Sequence, residues 1–321
     1  MGLIRGTCLE RKSPIRRRVL LFLFLIVGAL LFVSARNQDS APSLEGELAP
    51  VLSRSPLPAA LTLHTGVLRL KPGQDRIAHR IILEVPVADL TRGTKEKDGS
   101  TAVECAFFAR LLDAEGNVCA KFGRVVPRAA GAPESASPPV NVSLAHEVAL
   151  AAGSYTLEAV AEDRLAGKYA ARKLNFEVSA PGDGVSLSSL VLLSRTEPVA
   201  LGRLNPSDSL QFHGRRIVPN LSGQVAKHKG GEVRFYLVIF PRPAVPYEPQ
   251  LGIEFSRGGK IVGAVQPKLP DRNDQGNIAF IIEFSTAQFK AGEYVARAVV
   301  RQGDAVAETS TAFDVIPESR K

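Results

Sequence analysis

The chain has 321 residues, 45% of them hydrophobic and 22% charged, which is the balance of a folded protein and excludes a disordered one. Gly and Pro number 27 and 22 while Trp is absent, so turns are frequent, as in all-β chains. The net charge of +8 does not mark a nucleic-acid reader: most of it sits at Arg5, Arg11, Lys12, Arg16, Arg17 and Arg18, and no basic stripe follows on a foldable segment.

Directly after those cations comes VLLFLFLIVGALLFVSA, Val19 to Ala35. A basic flank before an apolar run is the pattern of export. Val33-Ser34-Ala35 suits cleavage after small residues, and the run also reaches the lower limit of a membrane span, about 17–25 residues. Residues 1–35 are therefore read either as a cleaved signal peptide or as a retained membrane anchor. Both place the remainder outside the cytoplasm, in the periplasm or tethered to the inner membrane. Cys8 precedes the apolar run, so no lipid-attachment cysteine follows it. Residues 36–58, with Pro42, Pro50, Pro56 and Pro58 among Ser and Ala, read as a flexible linker.

Beyond the linker the chain repeats itself. AGSYTLEAVAEDRLAGKYAARKLNFEVSAP begins at Ala152, and AGEYVARAVVRQGDAVAETSTAFDVIP at Ala291. In the first copy Tyr155, Leu157, Ala159 and Ala161 share one face of a strand, while Thr156, Glu158 and Glu162 share the other and Val160 breaks the pattern. In the second, Tyr294, Ala296, Ala298 and Val300 alternate with Arg297 and Arg301. Period two with one apolar face predicts half-buried strands, and each run turns back into a second alternating run, a hairpin. Upstream, RLLDAEGNVCAKFGRVVP (110–127) aligns with IEFSRGGKIVGAVQPKLP (253–270), and RIILEVPV (80–87) with YLVIFPRP (236–243). The first copy carries an extra loop at 91–101.

The chain thus duplicates one all-β unit. The prediction is two tandem immunoglobulin-like or fibronectin-type β-sandwiches, 59–180 and 185–318, joined by a short hinge at 180–184. Gly153 and Gly292 each stand two residues before a Tyr at a strand entrance. Tyr155 and Tyr294 are read as tyrosine corners, with plain core aromatics as the alternative; either role is structural. Cys105 and Cys119 fall on one hairpin about 20 Å apart at strand rise. That is beyond disulfide reach, and two buried thiols are favoured over a bridge.

The second half, with VSLSSLVLLSR, IVPNLSGQV, LGIEFSRGGKIV, PKLPDRNDQGNIAFIIEF and FKAGEYVARAVVRQG, resembles the C-terminal β-sandwich region of bacterial exported proteins related to the von Willebrand factor type A group. The first half, with EVPVADL, resembles the neighbouring region there. The resemblance implies an extracytoplasmic β module. Metal-dependent adhesion does not carry over, because the Asp-x-Ser-x-Ser loop of the type A domain is absent from this sequence.

Motifs of catalysis are missing or broken. Gly184-Val185-Ser186-Leu187-Ser188 lacks the second glycine of a nucleophile elbow. His146-Glu147 begins a zinc motif whose second histidine position holds Leu150, in a segment that reads as strand. Asp271 to Gly276 imitates a calcium loop, but Ile282 stands where a bidentate Glu belongs. No catalytic, cofactor or metal residue is assigned. The proline-rich stretch 240–249 is read as a strand running into a rigid loop, and Phe240, Pro243, Pro246 and Tyr247 as the first choice of contact surface, because an ordered backbone loses little entropy on binding. The expected function is a non-enzymatic binding or assembly module of the bacterial envelope, with a protein partner there and a membrane attachment if residues 1–35 are retained. The alternative is a carbohydrate-binding or hydrolase-accessory protein, weakened by the absence of Trp and a total of five Tyr.

Overall fold

The computed structural model describes residues 41–73, 75–93, 101–130, 141–180, 182–200, 208, 210–243 and 245–317. The expected export segment, Pro181 of the hinge and most of the 91–101 loop lie outside the described residues. Among the described residues no helix is long and apolar enough to cross a membrane.

Alternating apolar residues drive the strands of the first unit together. One sheet has the order β1 (His64–Pro72), β2 (Ile77–Pro86), β5 (Asn141–Leu150). The other runs β4 (Val118–Ala130), β3 (Thr101–Leu112), β6 (Gly153–Asp163), β7 (Lys168–Val178). All pairs are antiparallel. Ile77, Ile81, Leu83 and Val85 from one sheet meet Phe107, Leu111, Leu157 and Ala159 from the other in a closed core.

The second unit repeats this plan with additions. Its strands are β8 (Ser186–Leu187), β9 (Val191–Pro198), β10 (Gln211–Phe212), β11 (Arg215–Pro219), β12 (Gln224–Lys227), β13 (Glu232–Phe240), β14 (Gln250–Arg257), β15 (Lys260–Val265), β16 (Ile278–Ser285), β17 (Gly292–Gln302) and β18 (Ala305–Pro317). One sheet runs β10-β11-β9-β13-β16, with β8 also on β13; the other runs β12-β18-β17-β14-β15. The order β4-β3-β6-β7 reappears as β15-β14-β17-β18, and β1-β2-β5 as β9-β13-β16. The sequence repeat is therefore a repeat of sheet topology. Phe235, Phe255, Phe284, Phe289 and Phe313 fill the second core with edge-to-face contacts. The fold is thus mostly β, immunoglobulin-like and fibronectin-like sandwiches whose strand pairs are antiparallel except for β12 with β18.

Two expectations are corrected. The linker expected to be flexible over 36–58 is, over Ala41–Leu48, a helix (α1), continued by a 3-10 turn over Ala49–Ser53. Leu44, Leu48, Val51 and Leu52 are buried against Ala106, Phe108 and Val160, on the outer face of β3 and β6. Glu45 pairs with Lys121 at 2.7 Å and Glu47 with Arg164 at 2.6 Å. The prolines concealed this helix: Pro42 lies in its first turn, where no backbone N–H is needed, and Pro50 lies in the 3-10 turn that follows. The strap also explains why Val160 breaks the alternation of β6. The second correction is Cys119, which is exposed while Cys105 is buried; both are free. Leu111 pairs with Ala120 but Leu112 with Val118, so Cys119 is the extra residue of a bulge and leaves the core register.

Contacts also bridge the two units across the 180–184 connection. Leu70 of β1 joins Val191, Leu193, Ile217, Tyr236 and Val238 in an apolar cluster. The backbone N–H of Ser189 donates to the Arg69 carbonyl at 2.9 Å, and the Arg69 N–H donates to Ser189 Oγ at 2.9 Å. Arg80 holds Asp208 at 2.8 Å.

Candidate binding site

The proline-rich loop is ordered by one buried side chain. Gln302, at the end of β17, accepts from the Arg242 N–H at 2.8 Å and donates to the carbonyls of Arg242 (3.1 Å) and Tyr247 (2.9 Å). Pro243 and Pro246 are exposed, and Tyr247 is 64% exposed. Phe240 does not join them. As the last residue of β13 it shares a face with Val238 and Tyr236, and it packs half-buried against the cluster between the units. The four residues expected to form one contact surface are therefore divided between two places.

The paired tyrosines occupy equivalent corners. Tyr155 Oη donates to the Ala151 carbonyl at 3.1 Å, and Tyr294 Oη to the Lys290 carbonyl at 3.0 Å. Each ring stacks on the aromatic of the returning strand, Phe176 at 5.7 Å and Phe313 at 5.4 Å. Gly153 and Gly292 enter these strands with φ of 154° and 131°, conformations that other L residues rarely adopt.

The residues singled out for chemistry are engaged elsewhere. His146 lies on β5 and stacks on Phe122 at 4.4 Å, with burial pushing its imidazole below its ordinary pKa. Glu147 pairs with Arg80. In the 271–276 turn, Asn273 Oδ1 accepts the N–H groups of Gln275 (3.0 Å) and Asn277 (2.9 Å). A polar cleft of about 430 Å³ between the units contains Arg80, Glu84, Arg195, Glu197, Asp208 and Arg216. Its ionic groups largely satisfy one another, Arg195 and Arg216 both on Glu197. Glu84 is held by Asn141 at 3.0 Å, and burial raises its carboxyl above the ordinary range.

An open groove lies where the second sandwich fails to close. β15 ends one sheet and β16 ends the other, so among the described residues neither edge has a further strand. Between them lies a cavity of about 590 Å³ lined by Phe255, Val262 to Val265, Phe284, Gln288, Phe289, Lys290, Tyr294 and Arg257. The rings form an edge-to-face set, Phe255 to Phe284 at 4.8 Å and Phe289 to Tyr294 at 5.3 Å. Gly263 pairs with Phe255 and presents no side chain over it; a Cβ there meets nothing within 4 Å. Along the free edge Ile261 is 64% and Val262 58% exposed. Arg257 donates to the Ala291 carbonyl at 2.7 Å and lies over the Tyr294 ring at 5.7 Å. Among the described residues the lining holds the cations Arg257 and Lys290 and no carboxylate. Sequence reasoning passed over this site. Its one signal is the pair Ile261-Val262, two adjacent apolar residues where an edge strand has only one face to bury.

No family model matches the chain, and no curated protein matches it. Among solved structures, a D1–D4 ectodomain fragment of ICAM-5 is similar at 11% identity, over 80% of this chain and 54% of that one, with a TM-score of 0.23. The chain spans about half the length of that fragment. Fibronectin(III)-like modules of Clostridium thermocellum CbhA are similar at 10% identity, over 80% of this chain and 94% of that one, with a TM-score of 0.20.

Proposed function

We propose that the chain is a non-enzymatic, extracytoplasmic binding module of the bacterial envelope, and that it takes a protein partner at the open edge of the second sandwich. The observation that carries this reading is the groove between β15 and β16, where a cavity lined by core aromatics opens beside two exposed aliphatic residues. Soluble chains normally blunt such edges, and an exposed apolar edge marks an interaction site. The basic flank and apolar run at residues 5–35 support export, and the phrase-level resemblance to exported β-sandwich proteins related to the von Willebrand factor type A group supports the envelope.

The test is a photo-activatable residue placed at Val262, with a control at Glu177 on the first sandwich, irradiated in native envelopes. A discrete adduct from position 262 and none from 177 is expected. Equal labelling from both positions refutes the site. A reporter active only outside the cytoplasm, fused after residue 60, checks export separately.

A further inference from the structure

We propose that the partner contributes an extended peptide that adds to β15 as a further strand, seats a large apolar side chain beside Gly263, and sets a carboxylate against Arg257 and Lys290. This deepens the binding reading above and rests on it.

Three observations converge. First, among the described residues β15 pairs with β14 alone, so beyond its bulge at Val262 one side of its backbone is free for ladder hydrogen bonds. Strand addition supplies affinity through the main chain and specificity through pockets for alternate side chains. Second, the pocket lies within one side chain of that edge. Gly263 faces the Phe255 ring with open space above it, and Phe284 and Phe289 wall the space. Third, the charge is one-sided. Arg257 and Lys290 stand at the groove, and among the described residues its lining has no carboxylate and neither cation makes an ion pair. A carboxylate on the incoming strand gains charge-assisted hydrogen bonds that a neutral or basic strand does not.

The same charges argue against a second copy of this chain. RGGKIVGAVQPK (257–268) contains three cations and no acid, so edge-to-edge pairing of two copies sets cation near cation without compensation. The edge thus discourages self-pairing while remaining open to an acidic strand.

The experiment is a fluorescence-anisotropy screen of the full-length chain, purified in detergent, against fluorescein-labelled heptapeptides of alternating Val and Thr. Each carries a penultimate Phe and ends in a free carboxylate, an amide or an amidated Lys. The carboxylate peptide is expected to bind at least about tenfold more tightly than the other two. Gly263→Phe fills the groove from a position with room for a side chain, and Val262→Lys charges the edge; each is expected to abolish binding with the urea midpoint near that of the parent. Lys290→Glu is expected to reverse the preference toward the Lys-ended peptide. Equal affinity for the three peptides, or binding that survives Gly263→Phe, overturns the proposal. So does a dimer by sedimentation that Val262→Lys dissociates, which makes a second copy the occupant. A native adduct at Val262 with no acidic preference leaves the binding reading standing and removes this inference alone.

Discussion

The Tyr294 hydroxyl stands 3.0 Å from both the carbonyl oxygen and the backbone nitrogen of Lys290, donating to one and accepting from the other. One side chain thereby closes the turn that delivers the chain into β17. Tyr294→Phe keeps the stack on Phe313 and loses both bonds, at an expected cost of about 1–2 kcal/mol. Tyr294→Ala also empties a buried ring site and is expected to cost about 3–5 kcal/mol. Tyr155 makes the same bond to Ala151 from a half-exposed position, so Tyr155→Ala is expected to cost clearly less. Urea midpoints of the three variants check the order; equal losses at the two corners contradict it.

Much of the scaffold was legible because it repeats. The Gly-x-Tyr entrances at 153–155 and 292–294 and the alternation of β6 and β17 report a half-buried strand wherever they occur. The readings that failed depend on what covers the second face of a sheet. Val160 looked like an error in β6 because the Leu44, Leu48, Val51 and Leu52 ridge that buries it lies more than a hundred residues upstream. Phe240 looked available because nothing local marks the first unit as its neighbour. The groove was hidden for a related reason: local pattern gives strands but not which edges stay unpaired, and β15 and β16 become edges only once both sheets are assembled.

The strap over the first unit is expected to be part of the cooperative fold. Leu48 is buried on Phe108 and its neighbours, so Leu48→Ala is expected to cost about 2–4 kcal/mol and lower the thermal midpoint of the first unit. Removal of the strap exposes Ala106, Phe108 and Val160, and binding of a hydrophobic dye reports it. A Leu48→Ala variant with an unchanged midpoint shows the helix to be dispensable.

Burial makes stability depend on pH in two opposing ways. His79 is buried in β2 with Nδ1 2.9 Å from the Ile77 carbonyl; burial, and less strongly Arg69, push its imidazole below its ordinary pKa. His64 and His146 are displaced in the same direction by burial. The unfolded chain takes up these protons first, so their stabilisation is complete above the ordinary imidazole pKa and is lost as pH falls from about 7 toward 5. Glu84 acts oppositely. Burial raises its carboxyl, so the folded chain binds that proton more readily, and the cost of the buried charge at neutral pH fades as pH falls through the raised value. His79→Leu is expected to flatten the acid loss between about pH 7 and 5, whereas Glu84→Gln raises stability at neutral pH and removes the gain that protonation of Glu84 brings as pH falls. Chemical denaturation of both variants across this range gives the two slopes; parallel curves contradict the assignment.

Gln302 is expected to control the proline-rich loop. A surface connection is normally replaced at little cost, but three hydrogen bonds tie this one to a buried amide, and the 303 turn packs beneath Tyr247 and Val245. Exchanging residues 241–249 for a Gly/Ser linker leaves that amide without its fixed partners, so the exchange is expected to destabilise the second unit. Gln302→Ala removes the amide as well and is expected to cost about 1–3 kcal/mol. Gln302→Glu separates shape from donation: it still accepts from the Arg242 N–H but no longer donates to the carbonyls of Arg242 and Tyr247. Both variants are expected to make the bond after Tyr247 susceptible to chymotrypsin under conditions where the parent resists. Resistance in Gln302→Glu shows that packing of Val245 and Tyr247 over the turn suffices to hold the loop. Cleavage in that variant assigns the order of the loop to the two donated hydrogen bonds.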